Sequence, residues 1–502
     1  MSRVHEIIAR LKQTLTPGES LMDRAITGGI WATALNISAR VFQLLTAILL
    51  ARLLSPRAFG IVAIGMLIIV GLRRFSMLGL DDALIYNKNS NVDRYLNTAW
   101  VMNGVRAVVL SGLLFVSAPF IANFYNEPLV AEILPVMAIG PLVFGLKNPA
   151  IVYFKKDLVF HKQFVYDVCG EAAYFFVALA YALWNPSPWA LVVGYLARNG
   201  VRTLLSYVLH GYRPWPSFDL DLAREMFDYG KWITGGSIAN YIRNEGDDHF
   251  VGWLLAASSL GIYQMAYRLS NAPATEVTHV ISTVTFPAYS EIQDDLQQLR
   301  NAFYKTVRIA GFLATPMAIG IAVVAPTFVR AVLGEQWMPM VLPMQILAIY
   351  GMIRGFVSSY GSVWRATGNP DYLVKLQVIS IVLMAIPIYP ATVAYGLTGT
   401  ALVITAVYAL IMFPIDTYLA ASAAEADFRR LLLEFAYPIP AAVFMGAVVY
   451  WTRNTITSIP AFAELLILVV VGVVAYGLAV VALDSRINWH ILRDIRTIRE
   501  ML

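Results

Sequence analysis

Residues 460–482 read PAFAELLILVVVGVVAYGLAVVA, a run of 23 residues broken by one charge, Glu464. An α-helix rises about 1.5 Å per residue, so about 20 apolar residues cross the hydrocarbon core of a bilayer. The same reading finds thirteen more such segments upstream: 27–50, 58–80, 97–119, 131–151, 165–183, 188–209, 231–253, 261–284, 305–326, 341–364, 372–390, 398–420 and 434–451. Together they predict an all-α polytopic membrane protein of about 14 transmembrane helices. The segment 231–253 is the most interrupted, by Asn244, Glu245, Asp247 and Asp248. If it and its neighbour 261–284 do not cross, the count is twelve.

Composition agrees. Of 502 residues, 58% are apolar and 14% charged, against about 25% charged in a soluble domain. The mean hydropathy is +0.64. The one cysteine, Cys169, leaves no intrachain disulfide framework, and the six scattered histidines show no metal-ligand spacing. The formal net charge is +5, but the basic residues lie mainly between apolar segments, where they orient a membrane protein rather than bind nucleic acid. With the N-terminus placed in the cytoplasm, cytoplasmic segments hold 23 of the 37 Lys and Arg, and the opposite side holds Arg52, Arg57, Arg330 and Arg453. That bias predicts an even number of spans and two cytoplasmic termini. No Gly-rich loop precedes a Lys-Ser or Lys-Thr, so ATP hydrolysis by a phosphate-binding loop is not expected. No cofactor is implied. The connections are too short for the catalytic loop of a membrane glycosyltransferase or polymerase, and a transporter is expected rather than an enzyme.

The organisation follows from the connections. Residues 1–24 read as a cytoplasmic amphipathic lead-in, not a cleaved leader. Residues 25–209 form a first lobe of six helices. The longest cytoplasmic connection, 210–230, contains Gly211-Tyr212-Arg213-Pro214-Trp215-Pro216 and reads as a linker. A second six-helix lobe covers 231–420, an additional helix pair 421–482, and a basic cytoplasmic tail 483–502.

Charges inside spans are costly and therefore informative. The basic set is Arg40, Arg73, Arg74, Arg106, Lys147, Arg198, Arg202, Arg243, Arg268 and Arg354; the acidic set is Glu171, Glu245, Asp247, Asp248, Glu276 and Asp416. The excess of positive charge points to an anionic ligand, because Arg and Lys attract phosphate strongly in a low-dielectric cavity. Arg198 and Arg202 lie four apart on one helical face, either lining a cavity or reaching to the cytoplasmic headgroups. Arg40 shares a face with Asn36. Arg73 and Arg74 point about 100° apart, so one of them at most is expected in a cavity. Lys147, between Gly145 and Pro149, marks a kinked cavity helix or a membrane edge. Arg354 lies between Gly351 and Gly355, which permit close helix approach. Glu245, Asp247 and Asp248 either serve ion or proton coupling or pair internally with Arg243 or Arg268. Arg52 reads as a helix cap or an external gate.

Three motifs carry a family resemblance. The first is Ala51-Arg52-Leu53-Leu54-Ser55-Pro56 with Phe59-Gly60, continued by Phe75–Leu80 and Asp81-Asp82-Ala83-Leu84-Ile85. The second is Leu260-Gly261-Ile262-Tyr263-Gln264-Met265-Ala266-Tyr267, then Pro273 and Phe286-Pro287-Ala288-Tyr289-Ser290. The third is Ala366-Thr367-Gly368-Asn369-Pro370. The chain resembles the polysaccharide flippases of the multidrug/oligosaccharidyl-lipid/polysaccharide superfamily, in the branch that exports colanic acid, xanthan and related repeat units. The resemblance implies two six-helix lobes around a central cavity plus two C-terminal helices, in the bacterial cytoplasmic (inner) membrane. It implies alternating access, with an undecaprenyl-pyrophosphate-linked oligosaccharide carried to the outer leaflet for exopolysaccharide or lipopolysaccharide synthesis, beside a polymerase and export machinery. The cavity candidates for that pyrophosphate are Arg40, Arg73, Arg74, Lys147, Arg198, Arg202, Arg243, Arg268 and Arg354. The resemblance also implies H+ or Na+ coupling, for which placement alone offers Glu245, Asp247, Asp248 and Asp416. The alternatives are a lipid-linked peptidoglycan precursor flippase and a cation-coupled multidrug antiporter.

Overall fold

The computed structural model describes residues 21–76, 93–157, 159–456 and 459–487, with Trp489, Ile491 and Arg493. Residues 1–20 of the expected lead-in, the motif segment 77–92 and most of the expected tail lie outside the described residues. Helix α1 (Leu21–Leu53) stops before Ser55-Pro56, and α2 (Pro56–Phe75) starts there. Proline fits the first helical position because its missing N–H needs no partner. The Ser55 Oγ accepts from the Ala58 backbone N–H at 3.3 Å, which satisfies one orphan donor of the new helix. Arg52, in the last turn of α1, is exposed beside the carbonyl end of that helix, where a cation is favoured.

The elements continue as α3 (Asp93–Phe124), α4 (Leu129–Met137), α5 (Ile139–Gly145), a 3-10 turn at Pro149–Ile151, α6 (Val152–Lys156), α7 (Phe160–Trp184), α8 (Trp189–Leu209) and α9 (Leu220–Leu255). Then come α10 (Ala257–Ser270), α11 (Ala272–Glu291), α12 (Leu296–Phe328), α13 (Val341–Phe356), α14 (Tyr360–Ala366), α15 (Asp371–Val407), α16 (Phe413–Ala423), α17 (Phe428–Ala436), α18 (Pro438–Thr455) and α19 (Ala461–Ile487). No strand occurs among the described residues. Among them, nine helical segments are long and apolar enough to cross a membrane, or ten if one bent pair counts as a span. Large apolar side chains on these segments face outward, among them Phe120 at 71% and Val473 at 70% exposure, as lipid contact requires.

The difference from the expected fourteen has physical reasons. Helices cover the expected segments 188–209, 231–253 and 261–284, but they are too polar or too short to qualify by apolarity alone. The expected spans 372–390 and 398–420 fall in one continuous helical run broken at Gly396, with φ 56° and ψ −138°. Glycine adopts that left-handed φ at no Cβ cost. The single span expected at 131–151 is instead a run bent by 70°. The bend falls at Asn148-Pro149, where Asn148 is extended with ψ 118°, because a residue preceding proline avoids the helical region.

Residue contacts divide the chain into two units: one up to Tyr241 with Ala256–Ser258, the other Ile242–Leu255 with Ser259 onward. In the first, Tyr95, Leu96, Ala99, Ala150, Val152, Leu222 and Met226 form a buried cluster. Helix α7 packs along α1 through Trp31 on Phe164 (ring centroids 5.1 Å apart) and Phe42 on Phe175 (5.9 Å). Gly60 is pressed on the backbone at Ala257, where a Cβ would lie 1.6 Å from the carbonyl oxygen. The non-helical part of the expected 210–230 connection is 210–219. Asp219 ends it by capping α9, accepting from Asp221 and Leu222 N–H at 2.9 and 3.2 Å.

In the second unit, α18 and α19 pack on each other through Ala441, Met445, Leu468 and Tyr476, with Trp489 and Ile491 folded back into the same cluster. Phe312 of α12 packs against both Tyr476 and Trp489. Arg308 of α12 donates to both carboxylate oxygens of Glu434 in α17, at 2.9 and 2.8 Å, with side chains only 11% and 3% accessible.

Candidate functional sites in the two units

Four of the expected basic residues come together in the first unit. Arg198 and Arg202, one turn apart on α8, face Asp167 and Glu171, one turn apart on α7. Glu171 Oε1 accepts from Arg198 Nη1 at 3.5 Å and from Arg202 Nη2 at 3.2 Å. Asp167 Oδ1 lies 3.1 Å from the same Arg202 Nη2. Arg202 reaches this position across Gly170, where a Cβ would stand 2.6 Å from its Nε and 2.8 Å from its Cγ. Aromatic rings hold the guanidinium groups: Arg198 lies 5.3 Å from the Tyr174 ring and 5.7 Å from that of Tyr195, and Arg202 lies 5.9 Å from that of Tyr166. Such cation–π contacts orient a cation without neutralising it.

Arg73 extends the cluster. It is close enough to Arg198 and Arg202 to feel their charge, and it lies 4.9 Å from the Phe144 ring, on which Lys147 also rests at 4.8 Å. Phe144 thus holds two cations, and Lys147 belongs to a broken helix inside the unit. Among the described residues, Arg198 and Arg202 meet the two carboxylates, and Arg73 and Lys147 meet on Phe144. Arg74 is exposed while Arg73 is half-buried, as residues about 100° apart on a helix require. Arg40 of α1 and Arg268 of α10 are likewise exposed.

A second constellation lies within the second unit. A cavity of about 250 Å³ is lined by Arg243, Asp247, Phe250, Tyr267, Tyr350 and Tyr408, with apolar side chains of α15 completing its wall. Arg354 stands beside it, donating to Tyr267 Oη at 3.0 Å and lying 5.5 Å from the Tyr350 ring. Its helix approaches α10 closely because Gly351 has no side chain: a Cβ there would be 2.6 Å from the Ser270 carbonyl oxygen. Two of the carboxylates take hydrogen bonds from side chains of α10. Asp247 accepts from Tyr263 Oη at 2.6 Å and Asp248 from Gln264 Nε2 at 2.7 Å. Tyr263 is fully buried and cannot reach water, so it takes the carboxylate as its acceptor. Glu245 sits half-buried one turn before Asp248. Asp416 is buried at 6% exposure, and its Oδ1 has no hydrogen-bond partner among the described residues. No group of three metal-ligating side chains occurs among the described residues.

Sequence reasoning gave Asp167 no role and left Glu171 unassigned, although the signal was present. Two acidic residues four apart on one helix match two arginines four apart on the next. Around Arg354, Tyr350 lies four residues before it on α13 and carried the same spacing signal, whereas Tyr267, on α10, carried none.

The chain shares 27% identity with the lipopolysaccharide biosynthesis protein WzxC of Escherichia coli K12, over 80% of this chain and 81% of that one. It shares 24% with the succinoglycan biosynthesis transport protein ExoT of Rhizobium meliloti, over 84% of each. Among solved structures it resembles the lipid II flippase MurJ in an inward closed conformation, with a TM-score of 0.69 at 14% identity over 90% of this chain and 98% of that one; this likeness is one of fold. Residues 49–342 match the family described as polysaccharide biosynthesis protein, more than half of the sequence, and the chain belongs to that family.

Proposed function

We propose that this chain is a flippase that carries an undecaprenyl-pyrophosphate-linked oligosaccharide from the cytoplasmic to the outer leaflet, for exopolysaccharide or lipopolysaccharide synthesis. The observation that carries the reading is the gathering of Arg73, Lys147, Arg198 and Arg202 in the first unit, where Arg198 and Arg202 meet Asp167 and Glu171 while Arg73 and Lys147 share the Phe144 ring, on helices of a multi-pass membrane protein. Guanidinium groups held by aromatic rings are suited to pyrophosphate oxygens, which they contact bidentately. The names of the relatives WzxC and ExoT support a place in polysaccharide assembly and, for ExoT, transport.

The finer architecture belongs to the same proposal: fourteen spans, as two six-helix lobes and a C-terminal pair working by alternating access. So do the bacterial cytoplasmic (inner) membrane as location, two cytoplasmic termini, and service to a polymerase and export machinery. The carboxylates Glu245, Asp247, Asp248 and Asp416 are the groups we assign to H+ or Na+ coupling. Support comes from the placement of Asp247 on the cavity wall and of Asp416 in a buried position.

Purified protein in liposomes carrying a fluorescent undecaprenyl-pyrophosphate oligosaccharide tests the reading. A membrane-impermeant quencher reports the leaflet of the label. Protein-dependent movement of the label, changed by a proton or sodium gradient, is the expected result. Folded protein that moves neither this lipid nor versions with other glycans contradicts it.

A further inference from the structure

The acidic partners of Arg198 and Arg202 do not look like those of a saturated ion pair. In the Arg308–Glu434 pair, two guanidinium nitrogens meet two carboxylate oxygens at 2.9 and 2.8 Å. At Glu171 a single oxygen, Oε1, serves both arginines, at 3.5 and 3.2 Å. Asp167 adds its contact to the Arg202 nitrogen that already has one. The Nε of Arg202 is buried with no acceptor among the described residues. Each guanidinium carries five N–H donors, and the ring faces of Tyr166, Tyr174 and Tyr195 supply orientation but no anionic oxygen. Among the described residues, the guanidinium donors of Arg198 and Arg202 exceed the carboxylate oxygens that they meet. Between a fifth and a quarter of each arginine side chain remains accessible, at 20% and 24%, whereas Glu171 is at 8%.

We infer that Glu171, seconded by Asp167, is an exchangeable counter-ion that occupies the Arg198–Arg202 pair until a pyrophosphate displaces it. This rests on the reading of the cluster as the pyrophosphate site. Two arginines on one helical face repel unless an anion lies between them, and Glu171 supplies that anion here. An incoming pyrophosphate offers more oxygens than one carboxylate and reaches donors that Glu171 leaves unmet. A singly charged anion with fewer oxygens gains too little to displace it. Glu171 is therefore a specificity-determining residue, since it sets both the threshold for capture and the ease of release.

The test is calorimetric titration of the purified full chain with inorganic pyrophosphate and, separately, inorganic phosphate. Glu171→Gln keeps the shape of the side chain and removes its charge. It is expected to tighten pyrophosphate binding about tenfold, corresponding to about 1.4 kcal/mol, and to narrow the preference over phosphate. Unchanged or weaker binding by the folded variant overturns the inference. Asp167→Asn, which frees only Arg202, is expected to tighten binding by a smaller factor, and it decides the matter if Glu171→Gln does not fold. No tightening in Asp167→Asn then overturns the inference. Arg198→Gln/Arg202→Gln separates the two levels. If it binds pyrophosphate as the wild type does, the cluster is not the pyrophosphate site, and the inference falls with that reading. If it loses binding while neither acidic variant tightens it, the site stands and the exchange role alone is refuted.

Discussion

Replacing Glu434 by Leu removes the carboxylate opposite Arg308 and leaves a guanidinium that is 11% accessible inside the second unit. The wild-type contact is bidentate, at 2.9 and 2.8 Å, and joins α12 to α17. Breaking a buried pair by deleting one partner costs about 3–5 kcal/mol, because the remaining charge is stranded. Replacing both partners by apolar groups of similar volume is often neutral or stabilising. Glu434→Leu and Arg308→Met are each expected to lose about 3–5 kcal/mol. The double variant is expected to recover most of that loss, giving a large coupling energy in the cycle. Denaturant unfolding in detergent, followed by tryptophan fluorescence, measures all four proteins. Trp489 and Tyr437 lie in the same unit, 6.4 Å apart between ring centroids. A double variant as unstable as the sum of the singles would refute the view that stranded charge, rather than lost packing, is the penalty.

Two further outcomes follow from local geometry. Gly60→Ala places a methyl group 1.6 Å from the Ala257 backbone oxygen, and backbone cannot yield as a side-chain tip can. The expected loss is about 3 kcal/mol or more, seen as a drop in the monodisperse fraction by size-exclusion chromatography; a wild-type yield would contradict the close approach. His210, in the connection before α9, stacks on Tyr153 at 5.8 Å, and its Nδ1 accepts from Tyr212 N–H at 3.1 Å. Burial pushes its imidazole below the ordinary 6.5, so the unfolded chain takes up the proton first as pH falls. The contribution of His210 is present at neutral pH and is lost as pH drops below about 6.5 toward the folded value. Hydrogen exchange across 210–219 between pH 7 and 5 should show that loosening in the wild type and less of it in His210→Gln.

The apolar spans were legible because length and hydropathy alone decide them, as in 460–482. The breaks were partly legible: Pro149 marked the bend after Asn148, and Gly396 lay between two expected spans. Apolarity failed where helices carry charged residues. Helix α9 holds Arg243, Glu245, Asp247 and Asp248, and such residues lower hydropathy without stopping the helix. For the candidate sites, i,i+4 spacing told which residues share a face but not which neighbour that face meets. That is why the spacing puts Arg198 and Arg202 on one face but does not show that this face meets Glu171. Tyr263 and Gln264 belong to the second sequence motif. Only packing shows that they hold Asp247 and Asp248.

The most direct test of the account compares wild type with Arg198→Gln/Arg202→Gln in the liposome leaflet assay, using the undecaprenyl-pyrophosphate oligosaccharide. The account predicts protein-dependent flipping by the wild type and a loss of at least about tenfold in the double variant at equal folded yield. Equal flipping by both would place pyrophosphate recognition elsewhere, and no flipping by folded wild type would contradict the flippase function itself.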